Sequence, residues 1–140
     1  MQNQEIHAFG HPNIQATHPT TLMFTKDTHL SKNGDCIVAV AADRALADMC
    51  EAFKEELRKP GAKLTIVIEA GGSKMLISAA GSPKLPLTNP TEAVVRKSNY
   101  ISDRTLAVCA DKASLDLPRS FVEKLKDTNQ KVKITLIAQA

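Results

Sequence analysis

Two halves of the chain align with each other along almost their whole length. Residues 6–31 match residues 77–102 without a gap, and nine of these 26 positions are identical. After deletion of residues 32–34, residues 35–70 match residues 103–138, with 13 of 36 positions identical. Unrelated segments of ordinary composition agree at about one position in sixteen. We therefore interpret the sequence as a tandem duplication of a unit of about 68 residues.

Each copy predicts four strands and one helix. The strands of the first copy, rich in β-formers, are expected over residues 5–9, 20–26, 36–41 and 63–68. The helix precedes the last strand, and its apolar face would be formed by Leu46, Met49, Cys50, Phe53 and Leu57. Asp48 and its counterpart Asp116 are expected to be the N-cap residues of the two helices. Cys50 and Cys109 are interpreted as core thiols rather than nucleophiles.

The two units are expected to share one core. A single unit would bury little surface, and only a hairpin-length turn, Ala70-Gly71-Gly72-Ser73, separates them. We predict an α+β, strand-rich fold with a single domain over residues 1–140, in which repeat 1 spans about 4–70 and repeat 2 about 75–138. The β-β-β-α-β units would form a pseudo-two-fold sandwich or barrel with two outer helices.

The composition is that of a globular protein, with 43% apolar and 24% charged residues. The longest apolar run, Cys36–Ala42, is far shorter than the roughly 20 residues that cross a bilayer. The first residues lack the basic and apolar regions of a secretory signal. Three widely spaced cysteines do not make a disulfide framework. We therefore expect a cytoplasmic protein without a membrane segment.

All four histidines lie in the first copy, where the second copy has Ser78, Ser82, Asn89 and Tyr100. Both copies keep the surrounding Gly-x-Pro-x-x-x-x-Thr-x-Pro-Thr frame, so the histidines are not needed to build that frame. We predict a ligand pocket formed by His11, Asn13, His18 and Asp35, with Arg104 reaching across the axis between the copies. In a second form of this hypothesis, His11, His18 and Cys36 hold a divalent metal such as zinc. The alternative without a ligand is that the histidines form hydrogen bonds to loop backbone or lie in solvent.

Charge is distributed unevenly between the halves. Residues 1–70 carry 7 basic and 9 acidic side chains, whereas residues 71–140 carry 11 and 6. The basic half allows an RNA-associated function, but one tyrosine and no tryptophan do not favour a stacking platform.

Asp43 and Asp111, each between a strand and a helix, are interpreted as residues that hold backbone amides.

Several short motifs together point to a known family. They are His11-Pro12-Asn13, Thr17-His18 and Gly34-Asp35-Cys36-Ile37 in the first copy, and Ser102-Asp103-Arg104-Thr105-Leu106 in the second. With these motifs the sequence resembles an archaeal family known as domain of unknown function 371. The resemblance covers essentially the whole chain and implies a β-sandwich-like fold and an archaeal, cytoplasmic origin. It implies no activity or catalytic residues.

These observations favour a module that binds a small molecule or a metal. One alternative is an enzyme that uses His11 or His18 as a general base, and the sequence does not decide whether the protein is an enzyme. The other alternative is an RNA-associated protein that uses the basic second copy. Association with further copies of the chain is left open.

Overall fold

Eight strands and two short helices follow one another along the chain. The structure is a computed structural model that describes all 140 residues. The first half contains β1 (Gln2–Phe9), β2 (Thr21–Thr25), β3 (Ile37–Ala39), α1 (Glu51–Leu57) and β4 (Lys63–Ala70). The second half contains β5 (Ser73–Ala80), β6 (Glu92–Arg96), β7 (Thr105–Ala107), α2 (Arg119–Leu125) and β8 (Lys131–Gln139). A turn of 3-10 helix precedes each α-helix, at Leu46–Asp48 and Ser114–Asp116.

The strands form two four-stranded sheets. In the first sheet the order is β1-β8-β4-β5 and all neighbours are antiparallel. In the second sheet the order is β3-β2-β6-β7, with an antiparallel central pair and parallel outer pairs. The predicted α+β, strand-rich class is confirmed. The barrel alternative is wrong, because β1 and β5 remain edge strands of one sheet and β3 and β7 remain edge strands of the other.

One apolar core joins the two sheets and both helices. It is a cluster of 39 buried residues drawn from both halves of the chain. In the first sheet, burial alternates along each strand, so one face packs on the core and the other faces solvent. The halves also interlock, because Gly10 packs against the end of α2 at Leu125 and Gly81 packs against the end of α1 at Leu57. Neither helix is long and apolar enough to cross a membrane.

The predicted hairpin between the halves is confirmed. Gly71 and Gly72 form the turn between β4 and β5, with φ values of +55° and +78°. Left-handed backbone of this kind favours glycine, because a Cβ atom is strained there. The loop before β3 contains a second turn, in which Gly34 N–H donates to the carbonyl of Ser31 at 3.1 Å.

Both helices begin later than the sequence predicts. Asp48 is not the N-cap of α1, because its carboxylate accepts Ala45 N–H at 2.9 Å and pairs with Lys26 at 2.8 Å. Asp116 closes the second 3-10 turn through Ala113 N–H and pairs with Lys97 at 2.7 Å. These contacts, led by Lys26 for Asp48 and by the Ala113 amide for Asp116, lower the pKa of both carboxyls. The helical spacing of apolar residues therefore includes the 3-10 turn, and the α-helix itself begins only after that turn.

Cys50 and Cys109 are exposed rather than in the core. Cys50 is the N-cap residue of α1 and has extended backbone, so its side chain does not follow the apolar face of the helix. Cys109 has φ +53°, the same left-handed region as its counterpart Ala41. The left-handed turn directs the chain away from β7. The alignment of Cys109 with an alanine therefore did not imply that Cys109 is buried.

Candidate functional site

The two histidines of the predicted pocket bind nearby backbone. Nδ1 of His11 accepts the N–H of Asn13 at 3.0 Å. Nδ1 of His18 accepts the N–H groups of Thr20 and Thr21, both at 3.1 Å. Because an amide can only donate, each Nδ1 is unprotonated and each neutral ring carries its proton on Nε2. The Nδ1 atom of each ring is therefore engaged by its own turn.

The second half makes the same contacts with different residues. Ser82, the counterpart of His11, accepts the N–H of Lys84 with its Oγ atom at 3.1 Å. Asn89, the counterpart of His18, accepts the N–H groups of Thr91 and Glu92 with Oδ1 at 2.9 and 2.8 Å. The histidine nitrogens therefore replace serine and asparagine oxygens in turns that both halves contain.

The hydrogen bonds among the predicted pocket residues join His11 to Asn13 and His18 to Asp35. Asn13 lies beside His11 and donates through Nδ2 to the carbonyl of Leu30 at 2.7 Å. His18 and Asp35 are joined through the backbone, because His18 N–H donates to the carbonyl of Asp35 at 3.3 Å. The structure describes no group of three or more His, Cys, Asp or Glu side chains placed to hold a metal ion.

Arg104 does reach from the second half to the first, but not to a histidine. Its Nη2 atom lies 3.8 Å from Sδ of Met23, and its Nε atom lies 2.9 Å from Oε2 of Glu92. Cys36 lies in the same region of the second sheet. Burial raises the pKa of the Cys36 thiol.

Asp43 and Asp111 each hold the backbone of an edge strand. Oδ1 of Asp43 accepts His7 N–H at 3.0 Å, while Asp43 N–H donates to the His7 carbonyl at 2.9 Å. Asp111 makes the same two bonds with Ser78 on β5. The predicted role in holding amides is confirmed, and these amides belong to a distant strand rather than to the adjacent turn. Each aspartate satisfies edge groups that would otherwise be open to another chain.

A cleft that sequence reasoning did not predict lies on the solvent-facing side of the first sheet. It encloses about 440 Å³ and is floored by the backbone around Ala8, Val132 and Ala70. Strand register explains its walls, because outward positions stand side by side across β1, β8, β4 and β5. We call it the lysine cleft and define it by the side chains of His7, Phe9, Glu69, Lys74, Lys131 and Lys133.

Positive charge exceeds negative charge in the lysine cleft. Lys74 pairs with Glu69 at 3.3 Å, and Lys133 lies 4.0 Å from the same carboxylate. Lys133 also pairs with Glu5 at 3.3 Å, which lies outside the cleft. Lys131 has no carboxylate within ion-pair distance. Three ammonium groups therefore face one lining carboxylate.

The lysine cleft also has an apolar wall. Phe9 stands opposite Lys131 in the register of β1 and β8, and 38% of its surface is exposed. His7 separates the lysine cleft from a second cleft of about 430 Å³, whose lining carries charges of both signs from Glu5, Asp43 and Arg44. An aromatic side chain beside a row of ammonium groups provides contacts for both the apolar and the anionic part of a small molecule.

The sequence contained one indication of this cleft. Lys131 and Lys133 alternate with buried residues on a predicted strand, which places both on its outward face. Their partners Phe9, Glu69 and Lys74 come from other strands, and the strand order that unites them was not predictable from the repeat alone.

Comparisons with known proteins identify the family of the chain. The profile of the family described as domain of unknown function (DUF371) matches residues 6–139. An uncharacterised protein of the archaeon Methanocaldococcus jannaschii is 45% identical over 122 residues, which cover 87% of this chain and 90% of that protein. The chain therefore belongs to the DUF371 family.

Proposed function

We propose that the protein is a binding module for a small organic anion, which it holds in the lysine cleft. The observation that carries the proposal is the excess of positive charge in the cleft, where Lys74 and Lys133 pair with Glu69 and Glu5 while Lys131 has no carboxylate partner. The volume of about 440 Å³ lies within the range of small-molecule sites. This function keeps the small-ligand class favoured by the sequence and places the site on different residues.

Lys131 is the central cation of this proposal. It is exposed and has no carboxylate partner, so its charge is available to a ligand. Lys74 and Lys133 are held by Glu69 and Glu5, which position their ammonium groups at the cleft wall. Lys124, from α2, donates to the carbonyl of Gly71 at 3.1 Å and fixes the adjacent hairpin.

Phenyl phosphate is a suitable probe, because it joins one aromatic ring to one dianion. The ring would lie against Phe9 and the phosphate against Lys131. We expect amide chemical shifts of β1, β8 and the β4–β5 hairpin to change as phenyl phosphate is titrated into the full chain. Lys131→Ala should weaken binding about two- to fivefold, as expected for loss of one exposed charge contact.

The chain offers a matched control for this variant. Lys63 is the counterpart of Lys131 in the repeat and is also exposed on the outward face of the same sheet, but it lies outside the lysine cleft. Lys63→Ala removes the same charge and should leave the affinity unchanged. Equal affinities of wild type and Lys131→Ala, or equal losses in both variants, would contradict a site in this cleft.

We also propose that the two halves arose by tandem duplication and are related by a pseudo-two-fold axis. Both halves have the same order of elements, and a register shift interrupts β2 and β6 at the equivalent bonds Met23/Phe24 and Val94/Val95. Left-handed backbone recurs at Ala16 and its counterpart Leu87. A crystal structure in which residues 6–70 fail to superpose on residues 77–138 would contradict this proposal.

The expectation of a cytoplasmic location is retained as part of the proposal. All three cysteines are free thiols, which suits a reducing compartment. Fractionation of cells that express the protein with a C-terminal epitope tests this expectation directly.

A further inference from the structure

We propose a second binding site, separate from the lysine cleft, in which Arg96 and Arg104 bind an oxyanion beside Cys36. The site lies on the second sheet, on the face that carries Arg96 and Glu92 on β6 and Thr21 on the neighbouring β2. Its ligand class is a phosphate or carboxylate group, which the planar guanidinium fork can bind through two parallel hydrogen bonds.

Arg96 is held in place by neutral groups. Its Nε atom donates to Oγ1 of Thr105 at 2.9 Å, and its Nη2 atom lies 3.3 Å from Oγ of Ser102. The Tyr100 ring lies over the guanidinium, with 5.0 Å between its centroid and Cζ. No carboxylate lies within ion-pair distance of Arg96, and its Nη1 atom makes no hydrogen bond. The geometry fixes a positive charge and leaves one donor edge unused.

Arg104 adds a second positive charge, and its carboxylate partner is Glu92. Its Nε atom lies 2.9 Å from Oε2 of Glu92, but this buried oxygen accepts no hydrogen bond. Glu92 therefore offsets the charge of Arg104, whereas the charge of Arg96 has no carboxylate partner. Burial lowers the pKa of Arg96, and the nearby charge of Arg104 lowers it further. An oxyanion between the two guanidinium groups would stabilise both positive charges.

The equivalent positions of the first half are uncharged. Arg96, Arg104 and Glu92 correspond to Thr25, Cys36 and Thr21 in the repeat. Thr25 donates to the carbonyl of Thr91 and accepts Asp27 N–H, so the fold at this position is maintained without an arginine. The positive charges are therefore an addition to a frame that does not require them.

Cys36 provides a local reporter for the experiment. In a chain with Cys50→Ser and Cys109→Ser, both at exposed positions, Cys36 is the remaining thiol. We expect inorganic phosphate, at constant ionic strength set with sodium chloride, to slow the alkylation of Cys36 by iodoacetamide. At a phosphate concentration about ten times Kd, only about a tenth of the sites are free, so the rate should fall up to about tenfold.

Arg96→Gln in the same background should abolish the protection, and Arg96→Lys should not restore it, because lysine lacks the planar fork. Arg44→Gln is the matched control, since Arg44 is exposed and lies on the other sheet's cleft. If Arg96→Gln fails to fold, Arg104→Gln takes its place, because 46% of that side chain is exposed. Lys131→Ala should keep full protection, which separates this site from the lysine cleft. A Cys36 alkylation rate that phosphate does not change, or protection that survives loss of Arg96 or Arg104, would overturn the proposal.

Discussion

Two rows of side chains cross the solvent-facing side of the first sheet and differ sharply in charge. The strand register defines one row as His7, Lys133, Glu69 and Lys74. It defines the other as Ser78, Thr65, Ile137 and Asn3. Each residue of the first row aligns with one residue of the second row when the two halves of the sequence are compared. Lys74 is the last residue of the first row, and Asn3, which aligns with it, is the last residue of the second. One row carries three charged residues and a histidine, whereas the other carries no ionisable side chain.

The contrast separates what the fold needs from what a ligand would need. Inward positions of the same strands are conservative between the halves, as at Ile6 and Ile77, and at Ile66 and Ile134. Outward positions make few packing contacts, so they can change without loss of the core. The charged row is therefore free to serve a ligand, as the proposed function requires.

The largest expected effect tests whether the two halves use the same packing. A Cβ atom at Gly10 would meet the carbonyl oxygens of Leu125 and Asp127, and one at Gly81 would meet the carbonyl oxygen of Leu57. These are backbone atoms at helix ends and cannot move independently. Gly10→Ala and Gly81→Ala should each lower the free energy of unfolding by about 3 kcal/mol in urea titrations.

Gly72→Asn is the control for both glycine variants. Gly72 has φ +78° and nothing near its Cβ position, and asparagine tolerates left-handed backbone better than other residues. Its cost should stay below about 1 kcal/mol. If one of Gly10→Ala and Gly81→Ala were neutral and the other severe, the two loop–helix contacts would not be equivalent.

Much of this fold was predictable because local chemistry decides it. The Gly71-Gly72 hairpin and the alternating strand β8 follow directly from turn residues and period-2 burial. The helix starts were not predictable in the same way. Asp48 and Asp116 have the spacing of N-caps, but each carboxylate is engaged by a lysine from a distant strand end, Lys26 or Lys97. Long-range ion pairs of this kind leave no local sequence signal.

The next effect tests whether His18 is a turn residue. His18→Ala removes the acceptor for the N–H groups of Thr20 and Thr21, and should cost about 1–2 kcal/mol of unfolding free energy. His18→Asn copies Asn89 and should stay within about 0.5 kcal/mol of wild type. A thermal unfolding series measures both. A severe His18→Asn variant would show that the imidazole has a role that the second half lacks.

A pH effect distinguishes the two helices. Glu56 on α1 accepts Lys59 Nζ at 2.7 Å and Ala140 N–H at 3.0 Å, and these contacts lower its pKa from 4.5 to about 2. Its counterpart on α2 is Lys124. Since the folded pKa lies below the unfolded one, the stabilisation by Glu56 is complete above about pH 5 and is lost as the pH falls towards 2.

Glu56→Gln should therefore be less stable than wild type at pH 6, and the difference should vanish near pH 2. Lys124→Gln supplies the comparison, because lysine keeps its charge throughout this range. Its deficit should not shrink with acidification. Urea titrations at several pH values measure both differences, and a Glu56→Gln deficit independent of pH would contradict the assignment.

The candidate site was less predictable than the fold. His11 and His18 stood out because the second half has Ser82 and Asn89 at the aligned positions. In the structure, the side chains at these positions accept backbone amides in both halves. The sequence shows which residues differ between the copies and not which direction they face. Lys131 is identical to its aligned residue Lys63, and Lys133 aligns with Thr65. Yet β8 places both lysines beside Phe9 and Glu69, residues more than 60 positions away in sequence.

The smallest effect tests the charged row itself. Lys133→Thr gives the charged row the residue that Thr65 supplies to the uncharged row, without touching the core. We expect phenyl phosphate to bind about two- to fivefold more weakly, and the loss to shrink as salt screens the exposed charge. The unfolding free energy should change by less than about 0.5 kcal/mol. The reciprocal Thr65→Lys should not raise the affinity, because Ser78 and Ile137 would flank the new lysine where the charged row has His7 and Glu69. Thr65→Lys could instead strengthen binding as much as Lys133→Thr weakens it. The affinity would then depend only on the net charge of the sheet surface, and this result would contradict a specific ligand site in the lysine cleft.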